Sequence, residues 1–207
     1  MQPIPLSGKN LANLVYELPT ILEPIDLAAL FPVAQALEVE LGSGDGSFLL
    51  DYAALHPERN FIGIERLLGR IRKLDRKGRR RRLTNLRGVR IESSYFLQYL
   101  LPRHSAAALH IYFPDPWPKR KHWRHRLINE RFPALAVQAL APGGVVYLRT
   151  DDRPYFAEMI RIFQSAAALR EVDTPPELAA LHTDFERDFL ARGISTLSAA
   201  YKVGGGS

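Results

Sequence analysis

At 207 residues with 46% hydrophobic residues, the chain has the length and apolar content of one folded domain, which excludes wholesale disorder. It contains no cysteine, which excludes disulfides, thiolate metal sites and thiol nucleophiles and suits a cytoplasmic setting. The net charge of +6 is unevenly spread: Lys and Arg crowd residues 66–90, where Asp75 is the single acid, and residues 119–126, while acids gather in 151–188. Such segregation points to a polyanionic partner.

No apolar run approaches the roughly 20 residues that a membrane span needs. The opening MQPIPLSGKN has no cationic region followed by an apolar stretch, so no signal peptide is expected. Residues 1–35 are punctuated by proline and predict two short helices, over 10–18 and 20–31, as an N-terminal helical extension. The main domain is expected at 36–203, with Gly204 to Ser207 as a linker or tag scar.

Within the domain, strands are predicted at 36–41, 60–65, 87–92, 106–113, 145–149, 169–173 and 194–203. Helices are expected between them, at 47–55, 66–82, 95–101, 124–140, 152–168 and 178–192, with Pro133 as a kink. Alternation of helices with strands that are apolar on both faces implies an α/β layered fold with a mainly parallel sheet. Ligands of such sheets sit beyond the carboxyl ends of the strands.

Two loops there carry chemistry. Glu40 precedes Gly42, Gly44 and Gly46, between the first strand and its helix, and the glycines allow a tight turn and close approach of a ligand. Glu65 ends the next strand, where an acid can grip the two hydroxyls of a ribose. A dinucleotide pattern would place glycine at 47, where the chain has Ser47. A cationic cofactor such as S-adenosylmethionine would suit Glu40 and Asp45. The second loop is Pro114-Asp115-Pro116-Trp117-Pro118-Lys119. Its prolines break both helix and strand and stiffen the loop around one carboxylate. Lys119 to Arg126 then form a run of cations and histidines interrupted only by Trp123.

With these residues in place, the chain resembles the bacterial tRNA (guanine-N7-)-methyltransferases over about residues 36–203. Thr150-Asp151 with Tyr155 resembles the family's T-D segment, and Thr183-Asp184-Phe185-Glu186 its T-x-F-E segment. The resemblance implies a Rossmann-like class I methyltransferase: a three-layer sandwich around a seven-stranded sheet with its last strand antiparallel. It implies methyl transfer from S-adenosylmethionine to guanine N7 in the variable loop of tRNA. Glu40, Gly42, Gly44, Gly46, Glu65, Ser93 and Asp115 would face the cofactor, with Asp115 catalytic. Lys119, Asp151, Thr183, Asp184, Phe185 and Glu186 would face the guanosine. Lys121, His122, Trp123, Arg124, His125 and Arg126, with Arg79, Arg80, Arg81 and Arg82, would meet the RNA. Ser93 stands where the family usually has Asp or Asn, and the N-terminal arm carries only Lys9 as a cation before Glu17.

Plainer roles stand beside these. Asp115 could be a turn aspartate, Asp151 a helix N-terminal acid, and Thr183 with Glu186 a capping box. His110 reads as a core histidine. His122 and His125 lack the acid or cysteine that would complete a metal site, so no metal is expected. A nicotinamide-dependent oxidoreductase is disfavoured by Ser47, a non-catalytic RNA-binding protein by the intact carboxylates, and a small-molecule methyltransferase by the charge segregation. Monomer and homodimer both remain open.

Overall fold

A computed structural model describes residues 13–204. The elements in chain order are β1 (Val15–Tyr16), α1 (Leu27–Leu30), β2 (Ala36–Leu41), α2 (Ser47–Leu55), β3 (Arg59–Ile64), α3 (Leu68–Arg80), β4 (Leu86–Val89), α4 (Ser93–Tyr95) continued by a π turn (Phe96–Leu100), β5 (Ala106–Tyr112), a 3₁₀ segment (Arg120–His125), α5 (Phe132–Ala139), β6 (Leu140–Thr150), α6 (Arg153–Gln164), β7 (Leu169–Val172), α7 (Pro176–Ala179), α8 (Asp184–Ala191) and β8 (Leu197–Val203). One eight-stranded sheet has the order β1-β4-β3-β2-β5-β6-β8-β7. Every pairing is parallel except those of β8, which runs antiparallel to both β6 and β7.

This order fixes the site. From β2 the chain winds one way through β3 and β4, then returns to lay β5 on the other side of β2. The direction of winding reverses between β2 and β5, which opens a crevice at their carboxyl ends. The loops that follow these two strands are the glycine loop and the proline loop.

The two faces of the sheet differ. Leu37, Val39, Leu109, Ile111, Val146 and Leu148 pack with Phe132, Ala136, Tyr155, Met159 and Phe163 of α5 and α6. The opposite face packs Phe48, Leu49 and Tyr52 of α2 and Ile71 and Leu74 of α3 against Phe61 and Leu86. Side chains alternate along a strand, so the central strands turn Glu38, Glu40, His110, Tyr112, Tyr147 and Arg149 toward the α2 layer. The expectation of strands apolar on both faces therefore fails at the centre of the sheet. Glu38, His110, Tyr112 and Arg149 are paired there, as burial requires. His110 is fully buried, with Nε2 2.7 Å from Glu38 and Nδ1 2.8 Å from the Tyr112 hydroxyl. Glu38 also accepts from Arg59 at 2.7 Å. Burial alone would raise the Glu38 pKa, but His110 and Arg59 hold it below its ordinary value.

Several expected elements are corrected. The described part of the N-terminal region holds an edge strand and a one-turn helix instead of two longer helices. Leu14 N–H donates to Asp75 at 2.8 Å, and Gly88 N–H donates to the Leu14 carbonyl at 2.8 Å, so the segment is drawn into the sheet as an eighth strand. Residues 10–12 of the first predicted helix, and 205–207 of the expected tail, lie outside the described residues. The predicted 124–140 helix is a 3₁₀ segment, a turn and a short α5. Pro133 stands in the first turn of α5, where its missing N–H costs nothing, instead of kinking a longer helix. The predicted 178–192 helix is two helices, because Thr183 caps α8 afresh. The third predicted strand stops at Val89, and Glu92 caps α4 by accepting from Ser94 N–H and Tyr95 N–H.

Candidate active site

The glycine loop is hung on the neighbouring strand: Gly42 N–H and Ser43 N–H both donate to the Ile64 carbonyl at 2.9 Å. Gly42, Gly44 and Gly46 have φ of 82°, 57° and 81°, a region that side chains other than glycine enter at a cost. At Gly46 a Cβ would also meet Leu74 at 3.0 Å. The loop edges a cleft of about 660 Å³ that also includes Glu40, Glu65, Ser93, Asp115, Thr183, Asp184 and Phe185. Residues far apart in the chain are thus brought to one site.

Glu40 is 4% exposed, and its Oε2 has no hydrogen-bond partner among the described residues. Burial pushes its pKa up to about 8; Arg149 pulls it down, and Asp45 and Glu65 add to the rise. Ser43 Oγ, nearby in the same cleft, is also buried and unpartnered among the described residues. Buried polar atoms are nearly always paired, so these two oxygens mark where a ligand with donor or cationic groups would sit. Glu65, also buried, accepts from Leu67 N–H at 2.6 Å and lies 3.9 Å from Arg70. Ser93 is half-buried on the same wall.

Asp115 faces this wall from the proline loop and is exposed. One of its oxygens accepts from Trp117 N–H at 3.1 Å, the turn-aspartate role, and this leaves its other oxygen available. The loop is held in an unusual backbone: Phe113 and Trp117, on either side of Pro-Asp-Pro, have φ of 51° and 44°. Such angles outside glycine cost of order 1–3 kcal/mol each and persist where the surroundings impose them. Phe113 N–H donates to the Arg149 carbonyl at 2.8 Å, and Arg126 braces the Trp117 side. The Arg126 Nε donates to the Pro116 carbonyl at 2.7 Å, its guanidinium lies 4.5 Å from the Trp123 and Tyr155 rings, and it pairs with Glu158.

The remaining expected residues divide. Thr183, Asp184 and Phe185 line the cleft, and Phe185 is 54% exposed. Glu186 does not reach it. It is buried, accepting from Thr183 N–H at 2.8 Å and from Arg149 at 3.0 Å, so the capping box uses its carboxylate. Asp151 is exposed, stands outside the cleft wall, and leaves helix capping to Asp152, which accepts from Tyr155 N–H at 2.8 Å. Lys119 is exposed and stands outside the cleft wall.

Comparison with known proteins bears on this arrangement. Residues 34–195 match the family described as a putative methyltransferase. A tRNA (guanine-N(7)-)-methyltransferase of Nitrosomonas europaea is 36% identical over 80% of this chain and 73% of its own length. Another, of Chromohalobacter salexigens, is 39% identical over 74% of this chain and 62% of its own length. The chain belongs to the tRNA (guanine-N7-)-methyltransferase family. The fold also matches the crystal structure of a 30S ribosomal A1408 methyltransferase from an uncultured bacterium, with a TM-score of 0.61 at 17% identity over 87% of this chain and 95% of that one.

Two arginines of this family member depart from the sequence reading. Arg126, expected on the RNA surface, is 6% exposed because it braces the proline loop. Arg149 carried no signal in the sequence beyond its place at a strand end. It is 3% exposed, stacks over Tyr112 at 4.5 Å, and donates to the Leu181 and Leu178 carbonyls as well as to Glu186, so it ties α7 and α8 to the sheet. The other cations also separate. The 119–126 tract leads toward α6, on one layer, whereas α3 lies on the other. Lys121, Trp123, Arg124 and His125 are exposed and His122 half-buried; His125 lines the cleft beside Trp117, 5.1 Å away. Arg79, Arg80, Arg81 and Arg82 are exposed at the end of α3, where Arg79 pairs with Asp75 and Arg81 with Asp51.

Proposed function

We infer that this chain transfers a methyl group from S-adenosylmethionine to N7 of a guanine in tRNA, within the variable loop. The observation that carries the reading is the opposition, across one cleft, of the buried acid pair Glu40 and Glu65 and the braced Asp115. Family membership supports the reaction over a nicotinamide-dependent or a non-catalytic role.

The residues fit the cofactor. The unpartnered oxygens of Glu40 and Ser43 suit an ammonium donor, Glu65 a ribose diol, and Ser93 an adenine edge. When bound, S-adenosylmethionine supplies an electrophilic methyl. Guanine N7 already carries an exposed lone pair, so no general base is needed to form the nucleophile. Positioning and fixed charge then do most of the catalysis. Asp115 would accept from the N1–H and N2–H₂ edge of the guanine, held by its turn bond and by Arg126. Asp151, free of capping duty, would be a second acceptor, with Thr183 to Phe185 as the facing wall. A guanine stacked within tRNA must first be exposed, by flipping or local unstacking.

Incubation with methyl-labelled S-adenosylmethionine and an unmodified tRNA transcript, followed by mapping of the labelled base, tests the reading. Label at a variable-loop guanine N7 is expected. Label on another base, or transfer to small molecules only, overturns it.

A further inference from the structure

Beside the cleft, a second groove of about 270 Å³ runs between α2, α3 and α8. Its cations are Lys77 and Arg80 from α3, Arg81 at its C-terminal cap and Arg187 from α8, facing Asp51 and Asp184. Three of them are held by carboxylates: Lys77 by Asp45 at 2.7 Å, Arg81 by Asp51 at 2.5 Å, and Arg187 by Asp184. Arg80 is exposed and has no ion-pair partner among the described residues. The lining thus keeps a positive surplus, with several long side chains already fixed in place.

Two features tie this groove to the cleft. Ser47 and Asp184 line both, and the Asp184 N–H lies 3.3 Å from Ser47 Oγ. The cations of α3 also recur at three- and four-residue spacing, which sets them on one helical face. Arg70 and Lys73 line the cleft, while Lys77, Arg80 and Arg81 line the groove. The stripe is continuous from one cavity to the next. A pocket for a single nucleoside has no use for such a stripe, whereas a polyanion leaving the cleft would follow it.

We propose that the α2–α3–α8 groove is a phosphate subsite, which holds the RNA strand on one side of the guanosine presented to the cleft. The proposal rests on the tRNA reading above and adds a second contact surface, on the opposite layer of the sheet from the 119–126 tract. The strand crosses the cleft mouth between the two. Arg80 supplies the charge that no carboxylate neutralises, and Arg187 carries the contact onto the helix that also bears Asp184 and Phe185. Arg79, one residue from Arg80, turns instead to Asp75 at 3.7 Å.

The full chain with an unmodified tRNA transcript provides the test, comparing Arg80→Glu with Arg103→Glu, which makes the same change in charge on an exposed residue just before β5, at the end of the sheet away from the cleft. Arg80→Glu is expected to raise Kd and KM for tRNA about tenfold, on the order of one lost phosphate contact, and to lower the slope of log affinity against log salt by about one. Arg103→Glu should change either constant less than about threefold. Both should keep kcat, cofactor affinity and Tm. Equal losses in the two variants, or no loss in Arg80→Glu while the wild-type chain methylates tRNA, would overturn the subsite. Failure of the wild-type chain to methylate tRNA is a different result, and overturns the functional reading itself.

Discussion

Glu40 and Asp115 face one cleft in opposite states. Glu40 lies next to the end of a central strand, is almost fully buried, and has an oxygen with no partner among the described residues. Asp115 stands exposed on a loop, with one oxygen already held by Trp117 N–H. The first is positioned by the sheet and kept in an unfavourable environment. The second is positioned by prolines and by Arg126, in a loop whose backbone bears the strain. The contrast teaches how the two halves of such a site differ. On the proposed reading, the cofactor half is built in advance and would exchange a buried proton for a ligand cation, while the substrate half stays open to a macromolecule.

The wall behind Glu40 gives the largest expected effect. Arg149→Met strands the buried Glu186 carboxylate and frees the ends of α7 and α8. A loss of about 3–5 kcal/mol is expected, on the scale of breaking a buried ion pair. Urea unfolding measures it, and a loss below about 1 kcal/mol would mean that the clamp is not structural. Next comes Asp115→Ala. Methyl transfer should fall about 10²–10³-fold, the scale of losing one preorganised polar group, with Tm close to wild type. Asp115→Asn, which can keep the bond to Trp117 N–H, should be nearly as inactive. Recovery of activity in Asp115→Asn would show that the turn matters and the charge does not.

The pH dependence of Glu40 comes third. Its folded pKa, about 8, lies above the ordinary carboxylate value. Its contribution to stability is therefore fully present below that ordinary value and is lost as pH rises through about 8. A bound cation favours the carboxylate, so binding expels the proton. Cofactor affinity should weaken up to about tenfold for each unit below pH 8. Calorimetric titration with S-adenosylhomocysteine from pH 6 to 9 reads this, and Glu40→Gln should flatten the profile as well as weaken binding. An unchanged slope in Glu40→Gln would assign the dependence elsewhere. The smallest expected effect is that of Arg126→Ala. It releases the proline loop without touching the glycine loop, so kcat should drop several-fold while cofactor affinity holds. A fall in both would erase the separation between the two halves.

Much of the fold was legible because its signals are local. Ala36–Leu41 followed by glycines, and Ser47–Leu55 closed by His56-Pro57, were read with the bounds the structure shows. Errors fell where tertiary contacts overrode local preference. The segment before Pro19 reads as helical, yet Asp75 and Gly88 draw it into a sheet edge. Residues 124–131 suit a helix, but Arg126 is needed as a brace, and its chain is extended there. Thr183-x-x-Glu186 was read both as a cap and as a substrate motif. The structure engages its glutamate in the cap and leaves Asp184 and Phe185 at the cleft.

By itself, the sequence determined the alternation of strands and helices, the glycine loop with its two acids, the rigid carboxylate between prolines and the family resemblance. Most of these depend on spacing within a few residues, where periodicity, proline and glycine act directly. Only the tertiary structure decided which charges are working surfaces and which are internal struts. Arg126 and Arg149 look like any other cations in the chain, but they are buried because a loop and two helices need them. Arg79 and Arg80 are neighbours in sequence, yet one meets an acid and the other a groove, because a helix turns about 100° per residue.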